Sequence, residues 1–174
     1  FPGAGMCGTE EIWVRNGVRV NPRRKHRKPS GWIFDKVLPL CLLSLSSALF
    51  RRTVFTELGG FDETLPACED YDFGLRLALH YRLHFLSTPL IVKRGGHADQ
   101  LSRRWGLDRY RIRALVKLLS AGLEAEKEEL VRRELAVKCR IFASGLSKRG
   151  EERRAERYLR LAADPKECSW EEEP

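Results

Sequence analysis

Leu65 to Leu77 reads L-P-A-C-E-D-Y-D-F-G-L-R-L, and the reading of the whole chain turns on it. Pro66 interrupts what precedes it, and a helix can begin just after. Glu69, Asp70 and Asp72 then fall in the first turn, where the helix dipole favours negative charge. Tyr71, Leu75 and Leu79 recur at i, i+4 and i+8, which predicts one buried face. Asp72 has Arg76 one turn on, and that pair can close on the helix surface. Asp70 has Gly74 one turn on, which costs helix stability and predicts open space beside the carboxylate. A carboxylate facing a gap suits a general base, because a hydroxyl can approach it. The alternative is that all three acids only stabilise a helix start.

Upstream of this stretch, Phe61-Asp62-Glu63 reads as a turn, and Arg52 to Leu58 as a helix stopped by Gly59-Gly60. Leu42 to Phe50 reads as a buried strand and Trp32 to Leu38 as a short helix. Asn21 to Ser30 is a basic linker, either a solvated loop or a phosphate-binding segment. Glu11 to Val20 alternates around Asn16-Gly17, a strong hairpin signal. Phe1 to Gly8 reads as irregular.

Downstream, Arg82 to Ser87 and Leu90 to Arg94 read as two strands divided by Pro89. Strands and helices therefore mix up to about Arg94, as in an α/β layer. From Leu107 the texture changes to charged helices, over 107–121, 124–147 and 151–163. Leu130, Leu135, Ile141, Phe142 and Leu146 are the expected apolar stripe, with Tyr158, Leu159 and Ala162 against it. The expected organisation is a site-bearing region over 1–104, a helical tail over 105–165 and a disordered acidic end over 166–174.

The chain has 174 residues, 43% hydrophobic, with a net charge of +8. That balance fits phosphates, nucleic acid or an anionic membrane surface without choosing among them. The cysteines, Cys7, Cys41, Cys68, Cys139 and Cys168, are odd in number and scattered, which argues against a disulfide framework or a zinc cluster. A reducing compartment follows, and the expected location is cytoplasmic. The most apolar run, Val37 to Phe50, is too short and interrupted to span a bilayer.

Ser47 to Leu77 carries S-S-A-L-F-R-R-T-V-F-T-E-L-G-G-F-D-E-T-L-P-A-C-E-D-Y-D-F-G-L-R-L. This run resembles the acceptor-side half of a family 2 inverting glycosyltransferase of the GT-A fold. Gly95-Gly96-His97-Ala98-Asp99-Gln100-Leu101-Ser102 is similar to a segment of bacterial members. The resemblance implies the C-terminal part of a GT-A-type mixed sheet with flanking helices, followed by an α-helical hairpin tail. It implies transfer of a sugar from a nucleotide-sugar donor to a sugar or lipid-linked acceptor, with Asp70 as general base and Glu69 supporting the acceptor. It further implies a divalent metal, Mn or Mg, with His97 as a candidate ligand. Gln100, Arg103 and Arg104 are candidate substrate contacts, the arginines because guanidinium pairs well with diphosphate. Peripheral membrane contact and self-association fit the charge and the class, and nucleic acid is disfavoured.

Three departures qualify that likeness. The family's donor-binding half, with an apolar strand and a D-x-D motif, is not found before Glu10, so most of the donor pocket is expected to be missing. The literal Asp70-Tyr71-Asp72 sits at a helix start and is not read as the metal motif. Many members have tryptophan where this chain has Gly74, and Gln100 to Trp105 is one residue longer than the Q-x-x-R-W of processive members. The competing expectation is a non-catalytic basic module that binds nucleic acid, an anionic surface or a protein partner.

Overall fold

The computed structural model describes residues 3–98 and 100–165, with the side chain of Arg103 left undescribed. The expected acidic end over 166–174 lies outside the described residues. The chain divides into two compact units, Phe1–Arg104 and Trp105–Pro174.

The first unit is built on a mixed four-stranded sheet. Strand β1 (Met6–Arg15) is its axis. β4 (Leu83–Gly95) runs parallel to β1 along its whole length. On the other edge of β1, β3 (Ala48–Phe50) pairs antiparallel with its start and β2 (Val18–Val20) with its end. The β1–β2 turn places Asn16 at φ 49° and Gly17 at φ 80°, the left-handed pair that a tight hairpin requires. At Gly8 a Cβ would lie 2.7 Å from the Phe85 ring and 2.8 Å from Met6 Cε, so only glycine lets β1 and β4 approach there.

Three expectations are corrected in this unit. The opening eight residues are not irregular throughout, because Met6 to Gly8 are the start of β1. Pro89 does not divide two strands. It sits in one strand where the β1–β4 register shifts, opposite Glu10, and a bulge is where a residue without an N–H can be carried. Leu42 to Phe50 is not one buried strand. Leu42 and Leu43 are buried, Leu45–Ser47 is a 3-10 turn, and only Ala48–Phe50 joins the sheet, with Leu49 exposed. The consecutive serines let the chain turn before it can pair.

The helices of this unit follow the sequence closely. Helix α1 spans Phe34–Val37, α2 spans Arg52–Glu57 and α3 spans Glu69–His80. α3 is buried almost all round rather than on one face. Tyr71, Phe73, Leu75, Leu77 and Ala78 are all buried, while Leu79 is half-buried. Phe73 sits at the centre of an aromatic cluster, 5.2–5.4 Å from the rings of Phe50, Phe55 and Phe61. These offset and edge contacts add to the gain from burial alone.

The second unit consists of α4 (Leu107–Ser120), α5 (Ala125–Ser147) and α6 (Glu152–Ala163), with α5 packed on both neighbours. The buried stripe of α5 is Val131, Leu135, Cys139, Phe142 and Leu146, which keeps helical spacing. Ile141 was expected in that stripe and is instead 58% exposed, one position off the seam. Leu130 is half-buried, and Leu159 of α6 points outward while Tyr158 packs edge-on to Phe142 at 4.7 Å. No helix among the described residues is long and apolar enough to cross a membrane.

Candidate active site

The start of α3 is set by its neighbours rather than by a capping side chain. Cys68 precedes the helix in the left-handed conformation, φ 64° and ψ 21°. A residue with a Cβ holds that conformation at a cost of order 1 kcal/mol, and such strain gathers at functional sites. The Cys68 carbonyl accepts from the Tyr71 and Asp72 amides at 3.1 and 3.0 Å. The Tyr71 hydroxyl donates to the Leu38 carbonyl at 2.5 Å, which fixes α3 to the end of α1. Glu69 and Asp70 are therefore held on a rigid element.

The three first-turn acids separate clearly. Asp72 is 2% exposed. Arg76 donates to its Oδ2 from Nε at 3.0 Å and from Nη2 at 2.6 Å. The same guanidinium donates to the carbonyls of Leu58 and Gly60, the latter at 2.8 Å. Asp72 and Arg76 thus tie α3 to the turn after α2, and that carboxylate is consumed by structure. Asp70 and Glu69 are half-buried, and neither forms an ion pair among the described residues. Asp70 Oδ1 accepts from the Tyr71 amide at 2.7 Å, and no cation among the described residues pairs with the carboxylate. The Cys41 thiol lies beside it. Burial first, and then the Asp70 charge, push that thiol's ionisation far up, so Cys41 stays protonated and donates to the Leu43 carbonyl at 3.5 Å.

The open space expected beside Gly74 is not there. Gly74 is buried, and a Cβ on it would meet Leu43 Cδ1 at 3.5 Å, an ordinary contact. Leu43 fills the room that the missing side chain vacates, because the chain before β3 folds its leucines inward. Access to Asp70 must therefore come from its partly exposed side, away from Gly74. A separate cavity of about 270 Å³ lies at the start of β1 and the end of β3, lined by Gly5, Met6, Leu49, Phe50 and Arg51 among others. Neither Glu69 nor Asp70 lines it.

The remaining candidates lie after β4. His97 is exposed in the loop that leaves the sheet. Among the described residues no three His, Cys, Asp or Glu side chains come together in a way that could hold a metal ion. Gln100 is committed to its own loop: its Oε1 accepts from the Gly96 amide at 2.9 Å and lies over Gly95. Arg103 ends the 3-10 turn Leu101–Arg103, and its side chain lies outside the described residues. Arg104 is exposed just after it.

Sequence reasoning missed one charged centre entirely. Glu11 is 7% exposed, and Lys28 donates to its Oε1 at 2.8 Å and to the Thr9 carbonyl at 3.0 Å. Trp13 Nε1 donates to Oε2 at 2.9 Å, and Lys93 stands 3.8 Å away. Burial alone would raise the Glu11 carboxyl. Hydrogen bonds from Lys28 and Ser44 and the charges of Lys93 and Lys28 outweigh it and hold the group below its ordinary value. Lys28 belongs to the run read as a linker, which is in part an inner wall of the sheet. The available signal was a glutamate inside an alternating strand.

Residues 33–118 match the family model described as Glycosyltransferase like family 2. No curated protein and no solved structure matches the chain. The match covers α1 through most of α4 and includes Glu69, Asp70, His97, Gln100, Arg103 and Arg104. It supports a glycosyltransferase family 2-like domain, and the mixed sheet with flanking helices, followed by C-terminal helices, is consistent with a GT-A-like fold.

Proposed function

We propose that the glycosyltransferase family 2-like domain transfers a sugar from a nucleotide-sugar donor to an acceptor hydroxyl with inversion, Asp70 being the general base. The observation that carries this reading is the division of labour at the start of α3. Asp72 is locked by Arg76, whereas Asp70, two residues earlier on the same rigid helix, has no cation on it among the described residues. The reaction is a single displacement at the anomeric carbon. Asp70 takes the proton of the acceptor hydroxyl as the acceptor oxygen bonds to that carbon. The bond to the nucleotide diphosphate breaks on the opposite face, and the diphosphate leaves with the electron pair. The transition state has oxocarbenium character, and the carboxylate acts on the nucleophile rather than on the leaving group.

Glu69, half-buried beside Asp70 in sequence, supports the acceptor, and Arg103 and Arg104 contact the diphosphate. A general base contributes roughly 10²–10⁴-fold in rate. The test is Asp70→Asn in the full-length protein, assayed for transfer or hydrolysis of nucleotide sugars with Mn²⁺ or Mg²⁺ present. Asparagine still accepts from the Tyr71 amide, so the fold and donor binding persist while turnover falls by that factor. Turnover at the wild-type rate in Asp70→Asn would remove the base assignment.

A further inference from the structure

The outer end of the β1–β2–β4 arm carries charge and apolar area that sugar transfer does not use. In the registered sheet, Cα partners project to the same side. Val14 pairs with Arg19 on β2 and with Arg94 on β4, so Arg19, Val14 and Arg94 form one row across three strands. Ile12 and its partner Val92 share that side one row away, and Val92 is 47% exposed. The opposite side is the covered one. There Trp13 meets the His26 ring at 4.9 Å, and Glu11 is held by Lys28. This side therefore has an apolar centre, half-buried at Ile12 and Val14 and exposed at Val92, with an arginine at each edge.

More charge surrounds the end of the arm. Arg15, Arg23, Arg24 and Lys25 are exposed, and like Arg19 and Arg94 they form no ion pair among the described residues. Glu11 is the one acid within residues 11–28, against seven lysines and arginines. These charges converge. His26 is held below its ordinary value first by burial and then by Lys25, Lys93, Arg23 and Arg15.

We propose that this arm docks on an anionic phospholipid bilayer, with Val14, Ile12 and Val92 settling among the headgroups and Arg19 and Arg94 pairing with lipid phosphates. Basic residues bound to an apolar surface patch are the combination that anionic membranes retain. Single-stranded nucleic acid would call on exposed aromatic rings for stacking. Here the Trp13 ring is turned to the covered side, between His26 and Lys93, whose Nζ stands 5.5 Å from its centroid. Val92, exposed beside the half-buried Ile12 and Val14, gives nothing to a phosphate backbone and gains on entering an interface.

The test is co-sedimentation of the full chain with vesicles of phosphatidylcholine alone and of phosphatidylcholine with 30% phosphatidylserine, at low and high salt. The expected result is binding to the anionic vesicles only, weakened by salt. Arg19→Ala combined with Arg94→Ala should lower partitioning roughly 25–30-fold, at about fivefold per basic side chain at the surface. Val92→Asp should lower it while leaving both arginines in place. Failure to bind the anionic vesicles, equal binding to the neutral ones, or unchanged partitioning of either variant would overturn the proposal. So would binding of a DNA oligonucleotide by a chain that ignores the vesicles, which would assign the arm to nucleic acid.

Discussion

Replacing Arg76 by methionine should unfold the site-bearing unit far more easily than any exposed charge change would. Methionine keeps an aliphatic stem near the Phe73 ring, which the guanidinium carbon now faces at 5.5 Å, so packing is largely preserved. What is lost is charge and donors. The Asp72 side chain is only 3% exposed and would keep its carboxylate with both Arg76 donors gone. The carbonyls of Leu58 and Gly60 would lose their side-chain donor as well. Breaking a buried pair from one side costs about 3–5 kcal/mol, against a domain stability of about 5–15 kcal/mol. By contrast, Arg133 and Glu129 are 71% and 55% exposed, and opening that pair should cost under about 0.5 kcal/mol. The assay is urea unfolding read by hydrogen exchange of the α3 amides. With a urea slope of about 1–3 kcal/mol/M, the midpoint should fall by at least about 1 M. Adding Asp72→Asn to Arg76→Met should recover part of the loss, because the stranded charge is gone. A change no larger than that of Arg133→Met, or no recovery in the double variant, would refute the structural role assigned to the pair.

Other outcomes follow from the same contacts. Gly74→Ala should stabilise the unit by about 0.5–1 kcal/mol in thermal unfolding, because a helix interior prefers alanine and the new methyl meets Leu43 at ordinary distance. Gly74→Trp should cost about 1–3 kcal/mol in the same measurement, since Leu43 occupies the space. The Glu11 carboxyl is held below its ordinary value of 4.5 in the folded state, so its contribution is full above about that pH and is lost as pH falls through the lower folded value. Glu11→Gln should therefore flatten the acid limb of stability against pH. It should also weaken the fold at neutral pH by about 3 kcal/mol, because Lys28 keeps a buried charge without its carboxylate.

Much of the architecture was legible in local chemistry. The Asn16-Gly17 hairpin, the α2 stop at Gly59-Gly60, the α3 start and the Asp72–Arg76 pair are each set by residues within a few positions of one another. Short-range rules suffice for them, because the turn, the dipole and the i, i+4 contact are all local. The errors came where partners are distant in sequence. Pro89 breaks a strand only if no bulge absorbs it, and the bulge exists because β1, some 80 residues earlier, shifts register there.

The candidate site divides along the same line. The acids at the start of α3 and the run leading into them could be read as a glycosyltransferase signature from the string alone, since motif and spacing are properties of the chain. That Leu43 closes the space at Gly74, that Cys41 borders Asp70, and that Lys28 reaches back to Glu11 were decided only in three dimensions. The physical reason is that burial and pairing belong to the neighbours a residue acquires on folding. Those neighbours arrive from α1, the segment before β3 and the basic run, none of which advertises its target in its own composition.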